Sequence, residues 1–410
     1  MTVTVVLLGT LDTKGVEYAF LRDEITRTGC EVVMVNAGIL GDPDYPIEFG
    51  RREVAAAAGA DLDDMVAGGD RGAAVTTMAQ GAAVVVQRLF EEGRLDGILG
   101  AGGSGGTAII STAMRVLPIG VPKLLVSTMG AGDTRQFVGS RDIAMMYSVV
   151  DIAGINAISA EILGNAAAGI AAMAGAHSDR PASAGSRPLV GTTMYGATTA
   201  CVEHAREWLE EAGYEVLVFH ATGAGGNSME ALMASGHITA VLDITTAEVL
   251  DEVAGGVFTS GPHRMEMAGS LGLPQVVTLG AVDMIAFSPP ETIPAGWEHR
   301  TQYVHNPFVT LVRTDAGESE RLGRVMAEKL NAATGPLTVF IPLRGTSSYG
   351  VAGGVFHDPE ADAVLFESLR THLDPGVEVV EMDTDVNDPA FSEAMARRLH
   401  EHYQAWRGGG

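Results

Sequence analysis

Two stretches of this 410-residue chain share one pattern, LLGTLDTKGVEYAFLRDEITRTGCEVVMVNAG at residues 7–38 and LVGTTMYGATTACVEHAREWLEEAGYEVLVFHATG at residues 189–223. Each stretch opens with an apolar run, passes through a Gly-Thr loop into a helical pattern, and starts a second apolar run with Glu-Val. Continuous apolar strands that alternate with helices are typical of a parallel sheet covered on both faces. The repeat predicts two Rossmann-like units. A chance match between two βαβ units is the alternative.

The same alternation continues through both halves and is interrupted once. The interruption is MAGAHSDRPASAGSRP at residues 173–188, where Pro, Ser, Gly and charged residues predict an interdomain linker. We therefore predict an α/β protein of two Rossmann-like subdomains with mainly parallel sheets. The first would occupy residues 1–180 and bind a nucleotide, and the second would occupy residues 187–410.

Composition excludes several classes of function. Hydrophobic residues make up 46% of the chain and charged residues 19%, enough to bury a sizeable core. Acidic residues outnumber basic ones by 51 to 26, so the formal charge is −25. Such a charge repels phosphate backbones and anionic lipid headgroups, and we expect the protein to bind neither nucleic acid nor membranes.

The cysteines, the amino terminus and the one long apolar stretch indicate the cellular compartment. Cys30 and Cys201 are isolated in the sequence, which favours a reducing cytosol and offers no zinc site. The amino terminus shows no pattern of a signal peptide. The apolar stretch 155–176 contains Asn156 and Glu161 and is rich in Ala and Gly, so it predicts an internal helix rather than a membrane span. We expect a cytoplasmic protein.

The loop GTLDTKG at residues 9–15 is the first candidate binding loop, because ligands of doubly wound sheets bind beyond the carboxyl ends of the strands. Gly9 permits close approach of the backbone, and Lys14 brings positive charge to a helix start, which itself favours anions. Asp12 is a candidate magnesium ligand. The alternative is an ordinary helix cap with an exposed lysine.

The loop LGAGGSGGTA at residues 99–108 is the second candidate. Gly100, Gly102 and Gly105 match G-x-G-x-x-G, but the next strand ends in Ser-Thr-Met, without the acidic residue that holds a ribose. A Walker A loop is absent from the sequence. The pattern predicts a cradle for a phosphate or carboxylate, and close packing of helix on sheet is the alternative.

A third loop, STMGAGDT at residues 127–134, is expected beside the first two. The metal ligand would be Asp12 or Asp133. The candidate ligands of the anionic group are Gly9, Thr10, Thr13, Lys14, Gly102, Gly103, Ser104, Gly105, Gly106, Thr107, Ser127, Thr128 and Gly132.

Polar residues also recur at strand ends in the second half and predict a separate site for an anionic or carbonyl-bearing small molecule. His220 or His263 would be the acid–base group, because imidazole titrates near neutral pH. Glu248 or Asp283 would orient that imidazole. The candidate substrate-binding residues are Thr222, Gly223, Gly225, Gly226, Arg264, His305 and Asn306. The alternative is that these residues cap helices and satisfy buried backbone groups.

Seven segments together resemble the Tm-one-like ATP-binding family. They are GTLDTKGVE (9–17), GAGGSGGTA (100–108), DIAGINAIS (151–159), FHATGAGGNSME (219–230), GPHRMEMAG (261–269), VDMIAF (282–287) and HNPFVTLVRT (305–314). They follow the family's order over nearly the whole chain, so the resemblance is more specific than any single loop. It implies two Rossmann-like subdomains, binding of ATP with Mg²⁺ in the first, and a homodimer.

The residues and the resemblance lead to two hypotheses about function. The first is a cytosolic enzyme that uses magnesium-ATP on a small-molecule substrate in a cleft between the subdomains. The second is a nucleotide-sensing module without turnover. An enzyme needs convergent titratable groups in the second half, whereas a sensor needs only the cradle of the first half and a movable interface.

Overall fold

The computed structural model describes residues 2–179 and 187–408 and divides the chain into two compact units, Met1–Ala184 and Gly185–Gly410. The first unit contains, in chain order, β1 (Thr4–Gly9), α1 (Leu11–Arg27), β2 (Glu31–Asn36), α2 (Arg51–Ala57), α3 (Leu62–Gly68), α4 (Arg71–Glu91), β3 (Gly97–Gly102), α5 (Ser104–Arg115), β4 (Lys123–Ser127), α6 (Arg135–Val138), β5 (Ala144–Tyr147) and α7 (Ala157–Ser178).

The first unit is a five-stranded parallel sheet in the order β2-β1-β3-β4-β5. Its strands are continuous apolar runs because both faces are covered. Leu21 of α1 and Leu163 of α7 pack on one face, while Met78 of α4 and Ile109 of α5 pack on the other.

Helix α7 corrects the predicted linker. It continues to Ser178, so the first part of residues 173–188 is helical, and residues 180–186 lie outside the described part of the chain. By length and composition α7 could cross a membrane. Its Ala166, Ala167 and Ile170 nevertheless lie in the core of the first unit, as the prediction of an internal helix requires.

The second unit begins with β6 (Leu189–Met194), a 3₁₀ turn (Gly196–Thr198), α8 (Thr199–Glu211), β7 (Glu215–His220), α9 (Ala224–Ala234), β8 (Ile238–Thr245), α10 (Ala247–Ala254), α11 (Met267–Ser270) and β9 (Gln275–Gly280). It continues with β10 (Met284–Phe287), a 3₁₀ turn (Pro290–Thr292), β11 (Gln302–Asn306), β12 (Val309–Arg313), α12 (Ala316–Asn331), β13 (Leu337–Pro342), α13 (Pro359–His372), β14 (Glu378–Met382) and α14 (Pro389–Gly408).

A six-stranded parallel sheet in the order β14-β13-β9-β8-β6-β7 forms the centre of the second unit. The prediction of two mainly parallel α/β sheets is therefore confirmed. A further three-stranded antiparallel sheet, β10-β12-β11, was not predicted. Its strand β11 is exposed at every residue and gives no apolar alternation in the sequence.

The hydroxyl group of Tyr18 separates two neighbouring strands in the first unit. Strands β1 and β3 pair only as far as Leu7 and Leu99. Beyond that point Tyr18 Oη donates a hydrogen bond to the Leu8 carbonyl at 2.6 Å and accepts one from the Ala101 N–H at 2.8 Å. A Cβ atom on Gly9 would lie 1.9 Å from this oxygen, so only glycine fits there. The wedge opens the sheet at its carboxyl edge.

We expect Tyr18→Phe to destabilise the first unit by about 1–3 kcal/mol, the usual effect of leaving buried backbone groups without a hydrogen-bond partner. The ring is kept, so packing changes little. Denaturant unfolding measures the change. The matched control is Tyr45→Phe, which removes a bond from a half-buried hydroxyl to the Gly15 carbonyl and should cost less. Equal stabilities of the two variants would contradict the role of Tyr18.

Candidate functional site

The order of the strands places a crevice between β1 and β3 in the first unit. The chain passes from β1 to β2 on one side and later to β3 on the other, so the strand order reverses there. Doubly wound sheets bind ligands outside the carboxyl ends of the strands at such a point. Helices α1 and α5 begin next to it. The Leu11 N–H of α1 donates to Asn36 Oδ1, whereas the start of α5 has no side-chain cap. Unpaired N–H groups at a helix start attract anions.

The glycines of residues 100–106 divide into two groups. A Cβ on Gly100 would lie 2.5 Å from the Ile110 side chain, so this glycine is needed for packing. In contrast, a Cβ on Gly106 would have Thr10 Oγ1 as its nearest neighbour at 3.9 Å, and one on Gly105 would have Arg71 Nη2 at 4.0 Å. A Cβ on Gly103 would likewise meet only Thr128 Oγ1, at 3.9 Å. Three of the predicted loops therefore border one space, which solvent reaches because Gly103, Gly105 and Gly106 are only half-buried.

Other residues that were predicted to bind the anionic group hold the loops in place instead. The hydroxyl groups of Thr107 and Ser127 are buried and share a hydrogen bond of 2.6 Å, and Ser127 Oγ also accepts the Met129 N–H. Lys14 lies at a kink of α1, with φ −129° and ψ 28°, and its Nζ donates to the Ile152 carbonyl. These contacts fix the shape of the cradle.

The turns at the border of the cradle are closed by hydrogen bonds between residues three apart in the sequence. Thr13 Oγ1 contacts both the hydroxyl and the carbonyl of Thr10, and the Gly132 N–H donates to the Met129 carbonyl. Gly102 lies in the tight turn into α5, where a Cβ would meet the backbone of Gly106 at 3.0 Å. These residues shape the cradle without facing its open space.

The two candidate metal ligands differ. Asp12 Oδ2 accepts the N–H groups of Ile39 and Leu40, both at 2.9 Å, while its Oδ1 is buried without a partner. Asp133 is exposed and bound to Arg135, whose guanidinium lowers the pKa of Asp133 to about 2. Within residues 2–179 and 187–408 no three His, Cys, Asp or Glu side chains come together as a metal site. Asp12 is the carboxylate with an unused oxygen.

Arg264 forms a buried ionic cluster in the second unit rather than an open anion site. Its side chain is 1% exposed, and it donates to Asp243 at 2.6 and 2.8 Å and to Glu248 at 2.8 Å. Glu230 lies 3.5 Å away. The expected binding of a substrate anion by Arg264 is replaced by binding of the protein's own carboxylates.

The glycine turn of residues 223–226 belongs to the same cluster. Glu248 Oε1 accepts the N–H groups of Gly223 and Gly226 at 2.7 and 3.0 Å. A Cβ on Gly226 would lie 2.1 Å from Glu248 Oε2, and one on Gly225 would lie 1.9 Å from the His220 carbonyl. The turn is thus packed against the protein, and Glu248 holds the turn rather than orienting a catalytic imidazole.

Two further residues expected at the catalytic site lie elsewhere. Asp283 is 1% exposed and accepts a hydrogen bond of 2.6 Å from Ser347, and burial raises the pKa of Asp283. It therefore anchors a loop and cannot touch a substrate in this arrangement. His263 is 86% exposed at its side chain and bonds to Glu266 at 2.9 Å.

The remaining predicted residues do converge. His220, Thr222, His305 and Asn306 line a pocket of about 180 Å³ at the carboxyl ends of β6 and β7. Strand β11 supplies His305 and Asn306, and strand β12 supplies Val309 and Leu311. The antiparallel sheet therefore forms one wall of this pocket, which we call the aromatic pocket because its other walls include Tyr195, Phe258 and Tyr349.

Sequence reasoning missed those three aromatic residues. Tyr195 directly follows β6, and Tyr349 lies in LRGTSSYG at residues 343–350, after β13. Both therefore carry the signal used for the other loops, a glycine-containing polar segment after a strand. Phe258 carries no such signal. Tyr195 stacks on His220 with ring centroids 5.8 Å apart and 25° between the ring planes.

Asp251 supports the aromatic pocket from below. It is buried and accepts the N–H of Phe258 at 2.9 Å and that of Ala286 at 3.1 Å, which joins one wall of the pocket to β10. Burial, with a smaller contribution from the nearby charge of Glu248, raises the pKa of Asp251 from 3.8 to about 7. The carboxyl group therefore titrates near neutral pH.

Comparisons with known proteins cover both units. The model of the uncharacterised protein family UPF0261 matches residues 3–179 with its N-terminal domain and residues 187–403 with its C-terminal domain. A UPF0261 protein of Clostridium tetani is 46% identical over 400 residues, which are 97% of this chain and 98% of that protein. The ToMV resistance protein Tm-1 of Solanum lycopersicum is 40% identical over 330 residues, 79% of this chain and 44% of the tomato protein.

The resemblance to Tm-1 relatives is thus confirmed, whereas ATP binding stays a prediction. Among solved structures, a UDP-GlcNAc 2-epimerase from Neisseria meningitidis bound to UDP-GlcNAc is 10% identical, with a TM-score of 0.23. The alignment covers 68% of this chain and 83% of the epimerase. A likeness this low supports no argument about a site or a ligand.

Replacing Arg264 by Ala should destabilise the second unit by about 3–5 kcal/mol, because the variant leaves buried carboxylates without their partner. The free energy of unfolding in denaturant measures this. The exposed Arg135, which pairs with Asp133 at the surface, provides the control: Arg135→Ala should change stability far less than Arg264→Ala, because exposed ion pairs contribute little. A stable, folded Arg264→Ala protein would restore Arg264 as a candidate ligand-binding residue.

Asp251→Asn should gain stability relative to the wild type as the pH rises from about 5 to about 8. A pKa raised in the folded state means that the folded chain binds the proton more tightly. The stabilising effect of Asp251 is therefore complete below the unfolded pKa and is lost as the pH rises through about 7. Thermal unfolding of both proteins over this range measures the difference.

Asp133→Asn is the matched control for that pH series. The pKa of Asp133 is lowered to about 2 by Arg135, so its contribution is lost only as the pH falls toward that value. Its stability relative to the wild type should stay constant across the same range. A constant difference for Asp251→Asn as well would show that Asp251 does not titrate there.

Proposed function

Because the chain belongs to the uncharacterised protein family UPF0261 over residues 3–179 and 187–403, we propose a function from its geometry: the first unit binds ATP with Mg²⁺ through the triphosphate. The observation that carries this proposal is the half-exposed cradle at the start of α5. It lies where the strand order reverses and is bordered by Thr10, Gly105, Gly106 and Thr128.

The donors around this space suit a phosphate. The start of α5 has no side-chain cap, so backbone N–H groups of its first turn are available to an anion. Glycines at positions 105 and 106 let the phosphate approach these groups closely, since a Cβ there would project into the space.

Positive charge at the same place supports an anion in a chain of net charge −25. Arg71 is the nearest side chain to the Cβ position of Gly105, at 4.0 Å. Lys14 lies in the first turn of α1, directly after β1, and its Nζ donates to the Ile152 carbonyl. Cations concentrated beside a helix start offset the repulsion of the acidic protein.

The residues also fit a magnesium ion. Mg²⁺ bound to a nucleotide keeps several waters and takes only one or two carboxylates from the protein. Asp12 would be that carboxylate, because its Oδ1 has no partner and it lies in the first turn of α1. Asp133 is engaged by Arg135 and fits less well. When bound, the ion would neutralise charge on the phosphate oxygens.

The aromatic pocket favours an enzyme over a nucleotide sensor. A sensor needs only the first unit, whereas the second unit brings two imidazoles, of His220 and His305, to one small pocket with Thr222 and Asn306. Imidazole serves as acid or base near neutral pH. We therefore extend the proposal to a small-molecule enzyme that uses ATP. The homodimer that the family resemblance implies and the cytosolic location that the isolated cysteines favour stay predictions.

Replacing Gly106 by Glu tests the phosphate site without disturbing the fold. A Cβ there makes ordinary contact with Thr10 Oγ1 at 3.9 Å, and glutamate is favoured in the first turn of a helix. The melting temperature should therefore stay the same or rise. The carboxylate would occupy the space and repel phosphate, so the affinity for ATP with Mg²⁺ should fall at least about tenfold, as measured by isothermal titration calorimetry.

Gly175→Glu is the matched control, with the same change of charge in open space on α7. Its neighbour Ala174 contacts Gly97, at the amino end of β3, so the change lies at the opposite edge of the sheet. The control should bind ATP as the wild type does. Wild-type affinity in Gly106→Glu, or no binding of ATP by the wild type, would contradict the proposed function.

A further inference from the structure

The aromatic pocket has walls of a particular chemical kind. Tyr195, His220, Phe258 and Tyr349 present rings to it, and Val309 and Leu311 complete its apolar surface. The rings contact one another edge to face or stacked: Tyr195 lies 5.8 Å from His220 and 6.3 Å from Phe258 between centroids. Such walls favour a flat ring, which gains both burial of apolar area and contact between ring systems.

Formal charge is missing from the pocket lining. Among the described residues that line it, none is Asp, Glu, Lys or Arg. A ligand with a full charge would lose hydration in the pocket without gaining a carboxylate, ammonium or guanidinium partner.

The groups beneath the pocket disfavour an anion in particular. Asp251 lies behind Phe258, and its proximity contributes to a raised pKa of Tyr195 after the main effect of burial. The cluster behind the glycine turn pairs one guanidinium, that of Arg264, with carboxylates of Asp243, Glu248 and Glu230. The cation expected to bind a substrate anion is therefore already outnumbered by carboxylates.

Polar groups at the mouth of the pocket supply hydrogen bonds for the edge of a ring. The pairing of β11 with β12 shifts register between Val304 and Asn306, and such a bulge re-aims the side chains beside it. Asn306 Oδ1 accepts the Phe308 N–H at 2.8 Å, which orients the amide and leaves Nδ2 as its donor. His305 and Thr222 lie on the same lining.

We propose that the aromatic pocket binds a small, uncharged, planar ring compound that carries a carbonyl or hydroxyl group on its edge, such as a monocyclic amide, lactam or phenol. The volume of about 180 Å³ suits a single ring, since a protein cavity of about 150 Å³ accommodates benzene. The ring lies against Tyr195 and His220, and its polar edge meets Asn306. The sequence predicted an anionic or carbonyl-bearing ligand, and this proposal selects an uncharged ring compound over an anion.

This inference depends on the second unit alone and is independent of the nucleotide proposal. The test uses the full chain and the neutral probes benzamide, 2-pyridone and phenol. Benzoate is the charged match of benzamide, and cyclohexanecarboxamide is its non-aromatic match. Binding is measured by ligand-observed NMR titration up to millimolar concentrations. We expect at least one neutral ring to bind, and benzamide to bind about tenfold more tightly than either match.

Two variants and a control assign the binding to the pocket. His220→Ala removes one ring wall and should weaken the neutral ring about tenfold, and Asn306→Asp should weaken benzamide by removing its donor. The control His263→Ala removes an exposed imidazole outside the lining and should leave affinity unchanged. Melting temperatures verify that all three fold. The inference is overturned if no neutral ring binds, if benzoate binds as tightly as benzamide, or if His220→Ala matches the control.

Discussion

The structure depends on keeping adjacent parallel strands apart at the points where strand order reverses. In the first unit, the Tyr18 hydroxyl takes the backbone groups of Leu8 and Ala101 that would otherwise continue the pairing of β1 with β3. In the second, Thr193 Oγ1 on β6 donates to Asp243 at 2.6 Å and accepts the Thr245 N–H of β8 at 2.9 Å. Each of these side chains replaces a backbone hydrogen bond between two strands and opens the carboxyl edge of the sheet. Loops and helix starts can then surround a ligand there.

A second consequence is that most polar residues near these edges maintain the opening rather than face a ligand. Glu248 binds two glycine N–H groups and Arg264, and Arg264 binds Asp243, which binds Thr193. Because buried charges must be paired, such a cluster is costly to break and fixes the turn of residues 223–226. The surfaces that remain for a ligand are of two kinds. In the first unit they are backbone N–H groups near cations, and in the second unit they are the rings of the aromatic pocket. The two units therefore suit different ligand chemistry on related folds.

The sequence predicted the two parallel sheets because their strands are continuous apolar runs, such as β4 (Lys123–Ser127). It could not predict the antiparallel sheet, since β11 is fully exposed and its pairing with β12 is set by tertiary contacts. Nor could it separate Gly100, packed on Ile110, from Gly106, which faces open space. Among the candidate catalytic residues, His220 lines a pocket while Asp283 is buried. Residue type and position after a strand do not encode burial, and burial decides which of these residues a ligand can reach.

Binding of phosphate groups at the start of α5 is what we propose for the first unit, and hydrogen–deuterium exchange of the full chain with ATP and Mg²⁺ measures it. The N–H groups of residues 104–106 have no cap to protect them, so they should exchange rapidly without nucleotide. ATP with Mg²⁺ should slow exchange at residues 103–107 and at residues 10–14, where α1 begins. AMP should slow exchange less. Unchanged exchange in these segments at saturating ATP, with protection confined to the second unit, would contradict it.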